Sequence, residues 1–341
     1  MHDALRTLGL DHVRFCVGDP DTAAAILVTS YGFHIAARDQ HTVALTQADI
    51  GIAVTGPAAD DSATAYVLAH GDGVADIALR TPNAQAAYDQ AVANGAQPIH
   101  PPQERAGCAV AAIGAFGDVV HSLIERPAGD SGRWPPGLAP VPPPPGPAGL
   151  TRLDHFAVCL PAGELKPTVS FYESALGFRQ IYAERIAVGE QAMNSEVVQN
   201  AAGDVTLTLI EPDTSRQPGQ IDQFVKDHGG AGVQHVAMLT ADIVASVSTL
   251  RDLGVDFLTS PDAYYDQLAG RLVPAAHTVD ELHDLSVLAD SDHDGQLFQI
   301  FTRSTHPRRT FFFEVIERRG ATTFGSGNIR ALYEAVEAEQ Q

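Results

Sequence analysis

The feature that most constrains this chain is that it repeats itself. Leu10-Asp11-His12-Val13 returns as Leu153-Asp154-His155-Phe156, Tyr31-Gly32-Phe33 as Leu176-Gly177-Phe178, and Leu123-Ile124-Glu125-Arg126 as Val315-Ile316-Glu317-Arg318. Each half is doubled again. A strand, a helix that stops at a glycine, and further strands occur four times, with His12, Asp76, His155 and His235 at matching strand positions. The glycines that end the helices follow at matching intervals: 12 to 32, 76 to 95, 155 to 177 and 235 to 254. A glycine just past a helix end supplies the left-handed cap that other residues adopt at a cost. Thr81-Pro82 reads as an N-cap with proline in the first turn, and Ile243, Val247 and Leu250 as the apolar stripe of another helix. Runs such as Thr206-Leu207-Thr208-Leu209-Ile210 read as strands. The expected fold is α+β: βαβββ modules, four in two domains, forming curved, barrel-like mixed sheets flanked by helices, with a C-terminal lid helix.

A proline-rich stretch divides the repeat. Nine of the chain's 22 prolines fall between Pro127 and Pro147, four of them consecutive from Pro142 to Pro145. Such a segment favours polyproline II and is expected to act as a semi-rigid spacer. The expected domains are 1–126, a linker at 127–150, and 151–341. For 341 residues this gives two domains of ordinary size. A net charge of −21 disfavours nucleic acid and anionic membranes, which want clustered Lys and Arg. Cys16, Cys108 and Cys159 are too dispersed for a disulfide framework or a zinc finger. With no signal peptide or spanning segment visible, a cytoplasmic protein is expected; homo-oligomerisation is left open.

Three polar residues stand inside apolar strands: His155 in Leu153–Val158, His235 in Gly232–Met238, and Glu314 in Phe311–Ile316. Taken alone, each histidine is an ordinary core residue and the glutamate a solvent-facing one. Glu314, however, shares its strand face with Phe312 and Ile316, where an uncompensated carboxylate costs several kcal/mol. The three recur at equivalent strands, at 155, 235 and 314, and two histidines with one carboxylate form the ligand set of Fe(II) oxygenases. Zinc accepts similar ligands. The first half offers His12, Asp76 and Ser122 at the matching places, so it reads as a metal-free repeat with His12 structural. Asp290–Gly295 resembles the start of a calcium loop, but the twelfth position is Phe301 instead of a bidentate glutamate, so a hairpin turn is expected. Gly229–Gly232 precedes a strand and is no dinucleotide fingerprint. His228, His277, His283, His293 and His306 lie in polar, loop-like surroundings and read as solvated.

Four stretches, Gly230–His235, Gln296–Phe301, Phe312–Ile316 and Phe324–Asn328, resemble the 4-hydroxyphenylpyruvate dioxygenase family of the vicinal oxygen chelate superfamily. The resemblance covers nearly the whole chain and is strongest after Leu153. It implies an Fe(II) enzyme with His155, His235 and Glu314 as metal ligands and 4-hydroxyphenylpyruvate and O2 as substrates, the substrate's own 2-oxo acid being lost as CO2. It also implies a pocket lined by Ser195, Gln220, Gln234, Gln299, Phe301, Phe312 and Asn328. For Gln220 a surface place at a helix start, and for Asn328 a capping role, are open alternatives.

Family members differ in the carbon they oxidise. The ring-oxidising pattern has Pro-x-Asn-Glu on a pocket strand; here Thr208-Leu209-Ile210-Glu211 puts Thr208 and Ile210 at those places. Two C-terminal positions, usually Phe, are Ile329 and Tyr333, which share a helix face with Val336; Gly325 and Gly327 read as a hinge. These departures resemble the branch that hydroxylates the benzylic carbon and gives 4-hydroxymandelate, S enantiomer expected, for peptide antibiotic biosynthesis. Homogentisate formation is the alternative. A non-catalytic superfamily member would lack a ligand, and none is lacking here.

Overall fold

The computed structural model describes residues 4–57, 62–141, 149–324, 327–328 and 331. After a short 3-10 turn (Ala4–Thr7), the first module runs β1 (Gly9–Cys16), α1 (Pro20–Tyr31), β2 (His34–Arg38), β3 (Thr42–Gln47) and β4 (Ile50–Thr55). A connecting helix α2 (Ser62–His70) leads to β5 (Gly73–Arg80), α3 (Ala84–Ala93), β6 (Pro98–Arg105), β7 (Cys108–Phe116) and β8 (Val119–Glu125). A two-residue strand β9 (Ala139–Pro140) precedes the third module: β10 (Leu150–Cys159), α4 (Leu165–Leu176), β11 (Arg179–Val188), β12 (Gln191–Gln199) and β13 (Thr206–Pro212). Helix α5 (Gln220–His228) then leads to β14 (Gly232–Thr240), α6 (Ile243–Asp252), the inserted helices α7 (Asp262–Arg271) and α8 (Val279–Asp284), β15 (Leu288–Ser291), β16 (Gln296–Phe301) and β17 (Phe312–Arg319). The fourfold repeat read from the sequence is therefore a repeat of structure.

Each half forms one mixed sheet, ordered β6-β7-β8-β5-β1-β4-β3-β2-β9 and β11-β12-β13-β10-β14-β17-β16-β15. The two modules of a half meet through antiparallel pairs, β1 with β5 and β10 with β14. Gly32 and Gly177 close α1 and α4 in the left-handed conformation (φ 73° and 70°), as the repeat anticipates. The start of α3 differs from expectation: Asn83, not Thr81, is the N-cap, its side chain accepting from the Ala86 N–H, while Thr81 bonds Asn83. Asparagine accepts that bond more favourably than a residue two positions earlier can reach.

The halves share one apolar core. The triplet Phe311-Phe312-Phe313 explains how: alternation sends Phe311 and Phe313 to the back face of β17, against Phe15 and Tyr31 of the first half. His121 adds a polar link, bonding the Ile77 carbonyl and the Tyr172 hydroxyl at 2.9 Å. The linker's described part is not a free spacer. Trp134 and Leu138 pack on Ala37 and Ala44, β9 pairs with β2, and the Arg133 backbone lies against Gly51, where a side chain would collide. Apolar residues between the prolines bury surface that an extended spacer would leave in water.

His228 is also not solvated. It is buried where α2 meets α5, stacked on His70 (4.4 Å) and Phe224 (5.1 Å), while Arg308 donates to the Ala69 carbonyl. His277 and His306 are half-buried, His277 bonding Glu317; His283 and His293 are exposed. Burial, then the neighbouring His70, push the His228 pKa down to about 4; His306 and Arg308 act in the same direction. Because the folded value lies below that of an unfolded histidine (about 6.5), the stability it carries is complete above that pH and is lost as pH falls through about 4. In a thermal-midpoint series from pH 7 to 4, His228→Gln should show a shallower decline than the parent; an identical slope would refute this.

Candidate metal centre and its supporting shell

Strand register assembles the site. Paired residues on adjacent strands share a face. His235 lies opposite Ala157 and Phe312, and Glu314 opposite Ala237 and Phe301. Gln299 pairs with Ile316, Thr208 with Ala157, and Ser195 with Ile210. One concave face therefore carries His155, His235, Glu314, Gln299, Phe301, Phe312, Thr208, Ile210 and Ser195. Gln220 opens α5 and lines a shallow crevice with Gln191 and Met193, beside Ile221. Ile329, Tyr333, Val336 and Gly325 lie outside the described residues. Gly327, read as part of a hinge, has its N–H fixed to Asp290.

Two bulges tune this face. The β10–β14 ladder steps from Leu153↔Met238 to His155↔Ala237, leaving Asp154 as an extra residue, and from Ala157↔His235 to Val158↔Val233, leaving Gln234 as another. A bulge breaks strict alternation and re-aims side chains. Asp154 can therefore reach back to its own neighbour: His155 Nδ1 donates to Asp154 Oδ1 at 2.9 Å, and Arg318 grips both Asp154 oxygens at 2.8 and 2.9 Å. This orients His155 Nε2 toward Glu314 Oε2, 3.3 Å away, while His235 Nε2 is 3.2 Å from the same oxygen. Gln299 Nε2 donates to Glu314 Oε1 at 2.8 Å. Phe312 stacks on the His235 ring, Phe301 meets its edge, and Phe324 closes on His155 beneath the Arg318 guanidinium.

The electrostatics are those of a buried, mutually compensated cluster. Burial opposes the charge on His155, yet Glu314 and Asp154 outweigh it and raise its pKa to about 9. Burial likewise opposes ionisation of Glu314, and the two histidines outweigh it, holding the carboxyl at about 2. His235, also buried, is shifted down. Its Nδ1 and the Thr208 hydroxyl are buried without a hydrogen-bond partner among the described residues.

The donor atoms of His155, His235 and Glu314 all lie within 4.8 Å of one another, the spacing of groups that share an ion. Imidazole, imidazole and carboxylate, one imidazole backed by a carboxylate, suit a first-row divalent metal. The first half lacks this. Asp11 is the same bulge residue, bonded to His12 and gripped by Arg126, but Ser122 occupies the place of Glu314 and donates to Asp76 at 2.5 Å. Arg14, matching Ala157, brings its Nε to 3.9 Å from Asp76. A fixed cation there already compensates the Asp76 carboxylate that a metal would use.

Asp154, Arg318 and Phe324 are supporting residues that sequence reasoning missed as part of the site. Their signal was available: Asp and Arg persist in both halves, at 11 and 126 and at 154 and 318.

This pairing of glyoxalase-like modules around a buried two-histidine, one-carboxylate face defines a class, and the comparisons agree. Residues 152–300 match the Glyoxalase/Bleomycin resistance protein/Dioxygenase superfamily, and residues 2–133 match the N-terminal domain of hydroxyphenylpyruvate dioxygenases. The chain is 32% identical to a 4-hydroxyphenylpyruvate dioxygenase of Dictyostelium discoideum, across 98% of each protein, and 31% identical to one of Xenopus tropicalis. It superposes on a triple-substituted 4-hydroxymandelate synthase from Streptomyces coelicolor with a TM-score of 0.87 and 42% identity, covering 98% of this chain and 99% of that one. The protein belongs to the 4-hydroxyphenylpyruvate dioxygenase family of non-haem iron dioxygenases. Among the described residues no helix is long and apolar enough to cross a membrane.

Arg318→Leu would leave the Asp154 carboxylate buried without its bidentate partner, and should cost about 3–5 kcal/mol. Arg38→Leu, which breaks an exposed pair with Asp21, should cost under about 1 kcal/mol. Urea denaturation of both variants checks this; equal losses would contradict it.

Proposed function

We propose that this enzyme converts 4-hydroxyphenylpyruvate and O2 to 4-hydroxymandelate and CO2, with Fe(II) held by His155, His235 and Glu314 in residues 151–341 and the first half as a metal-free partner. The observation that carries the choice of product is the 42% identity, over nearly the whole chain, to a 4-hydroxymandelate synthase, against about one third to relatives named as dioxygenases. Thr208 and Ile210 support it. They share the concave face with the metal-binding donors, where ring-oxidising relatives are expected to carry proline and asparagine.

Iron(II), when bound, supplies the redox chemistry for activating O2 and decarboxylating a 2-oxo acid. The chain's own residues do the rest. Asp154 accepts from His155 Nδ1 and so keeps Nε2 facing Glu314, where a metal would take the place of the Nε2 proton. Gln299 fixes the Glu314 carboxylate by occupying Oε1. Phe301, Phe312 and Phe324 wall the donors off from water, and Ala331 packs on the Phe301–Phe312 cluster. The Thr208 hydroxyl, buried without a partner on the same sheet face, suits a polar group of the substrate, since such a hydroxyl costs about 1–3 kcal/mol. Which carbon is oxidised then depends on how the aromatic ring is seated, and displacements near an ångström decide such outcomes.

Purified protein loaded with Fe(II) and given 4-hydroxyphenylpyruvate and O2 should yield 4-hydroxymandelate, S enantiomer, on chiral chromatography. Homogentisate as the main product would overturn the assignment of the branch. Glu314→Ala should abolish turnover. Ile329→Phe with Tyr333→Phe should divert part of the product toward ring oxidation; an unchanged product ratio would refute a role for those positions in seating the ring.

A further inference from the structure

Gln299 and Asn328 are both fully buried, and their amide groups are bonded at both ends. Gln299 Nε2 donates to Glu314 Oε1, and Gln299 Oε1 accepts from Asn328 Nδ2, each at 2.8 Å. Asn328 Oδ1 lies 3.2 Å from the Tyr264 hydroxyl, whose single proton it shares with the Ala289 carbonyl at 3.0 Å. The polarity of this chain is forced from one end. An ionised carboxylate only accepts, so Gln299 must turn its NH2 to Glu314. Its carbonyl then faces Asn328, which must answer with its own NH2. Neither amide can flip without placing two acceptors in contact.

The far end is anchored. The Gly327 and Asn328 N–H groups both donate to Asp290 Oδ2, at 2.8 and 3.2 Å, and Arg271 binds Asp290 and the Tyr264 hydroxyl. A side chain at Gly327 would meet Asp290 Oδ2 at 2.8 Å, so the carboxylate would have to shift to admit it.

We infer that Asn328 is a positioning residue for Glu314, acting through Gln299, so that the docking of residues 327–328 on Asp290 fixes the orientation of the carboxylate that holds the metal. This rests on the reading of His155, His235 and Glu314 as an iron site. It reassigns the Gln299 and Asn328 side chains from contacting substrate to orienting a ligand. Residues that orient ligands typically change metal affinity by about 10–100-fold when replaced.

The relay makes a prediction that packing alone does not. Asn328→Asp preserves shape but, when ionised, offers Gln299 only acceptors. The Gln299 NH2 then has a carboxylate on each side and is no longer held on Glu314 alone, so Glu314 loses its fixed orientation. Asn328→Ala removes the partner without adding that second carboxylate. Fe(II) affinity of the full-length protein, measured anaerobically by competition with a chelator, should therefore fall furthest in Asn328→Asp, by about tenfold or more, and less in Asn328→Ala. Combining Asn328→Asp with Gln299→Leu should be no worse than Gln299→Leu alone, because the chain is already broken. Circular dichroism and the thermal midpoint establish that each variant is folded. Equal affinities in the parent and Asn328→Asp, or a larger loss in Asn328→Ala, would overturn the relay while leaving the metal site standing. A parent that binds Fe(II) no more tightly than Glu314→Ala would overturn the metal site, and the relay with it.

Discussion

The Glu314 carboxylate, 1% exposed between Phe312 and Ile316 on the concave face of β17, is the constraint around which the second half is organised. A charge in such a place needs compensation from every side. His155 and His235 approach one oxygen and Gln299 binds the other. Two of these have a further layer behind them, Asp154 and then Arg318 for His155 and Asn328 for Gln299, whereas the His235 ring is held by Phe312 and Phe301. Even the aromatic residues follow this logic. Phe312, Phe301 and Phe324 exclude water from the donors, while Phe311 and Phe313 face backward and join the two halves.

The first half shows what the scaffold does without that carboxylate. It keeps the bulged aspartate, the histidine and the arginine, so the local geometry of the strand survives. The central charges differ. Ser122 replaces the glutamate and bonds Asp76, and Arg14 brings a permanent cation beside it. The same βαβββ frame thus supports either an internally neutralised polar cluster or a set of donors free to converge on an ion. The decisive positions are few: 122 against 314, 76 against 235, and 14 against 157.

The fold was legible because repetition multiplies weak signals: four glycines at matching places say more than any one. The cluster of His155, His235 and Glu314 was legible for a related reason, since polar residues inside apolar strands are costly and invite an explanation. What stayed hidden was set by features with no local signature. The bulges at Asp154 and Gln234 break alternation by one residue, which a pattern of apolar residues does not register. The burial of His228 depends on two helices from different halves meeting, and its polar sequence neighbours point the other way. The contact between Gln299 and Asn328 joins a strand and a distant segment, so Gln299 read as pocket lining and Asn328 as pocket lining or a helix cap. The proline stretch misled because its described part carries Trp134 and Leu138, whose packing outweighs the extended preference of the prolines.

His155, His235 and Glu314 are proposed to hold iron, and their counterparts His12, Asp76 and Ser122 are not. Anomalous diffraction at the iron absorption edge, on crystals equilibrated with Fe(II) without oxygen, tests this directly. The account predicts a peak bounded by His155 Nε2, His235 Nε2 and Glu314, and none between His12, Asp76 and Ser122. Iron in the first half, or none in the second, would contradict it.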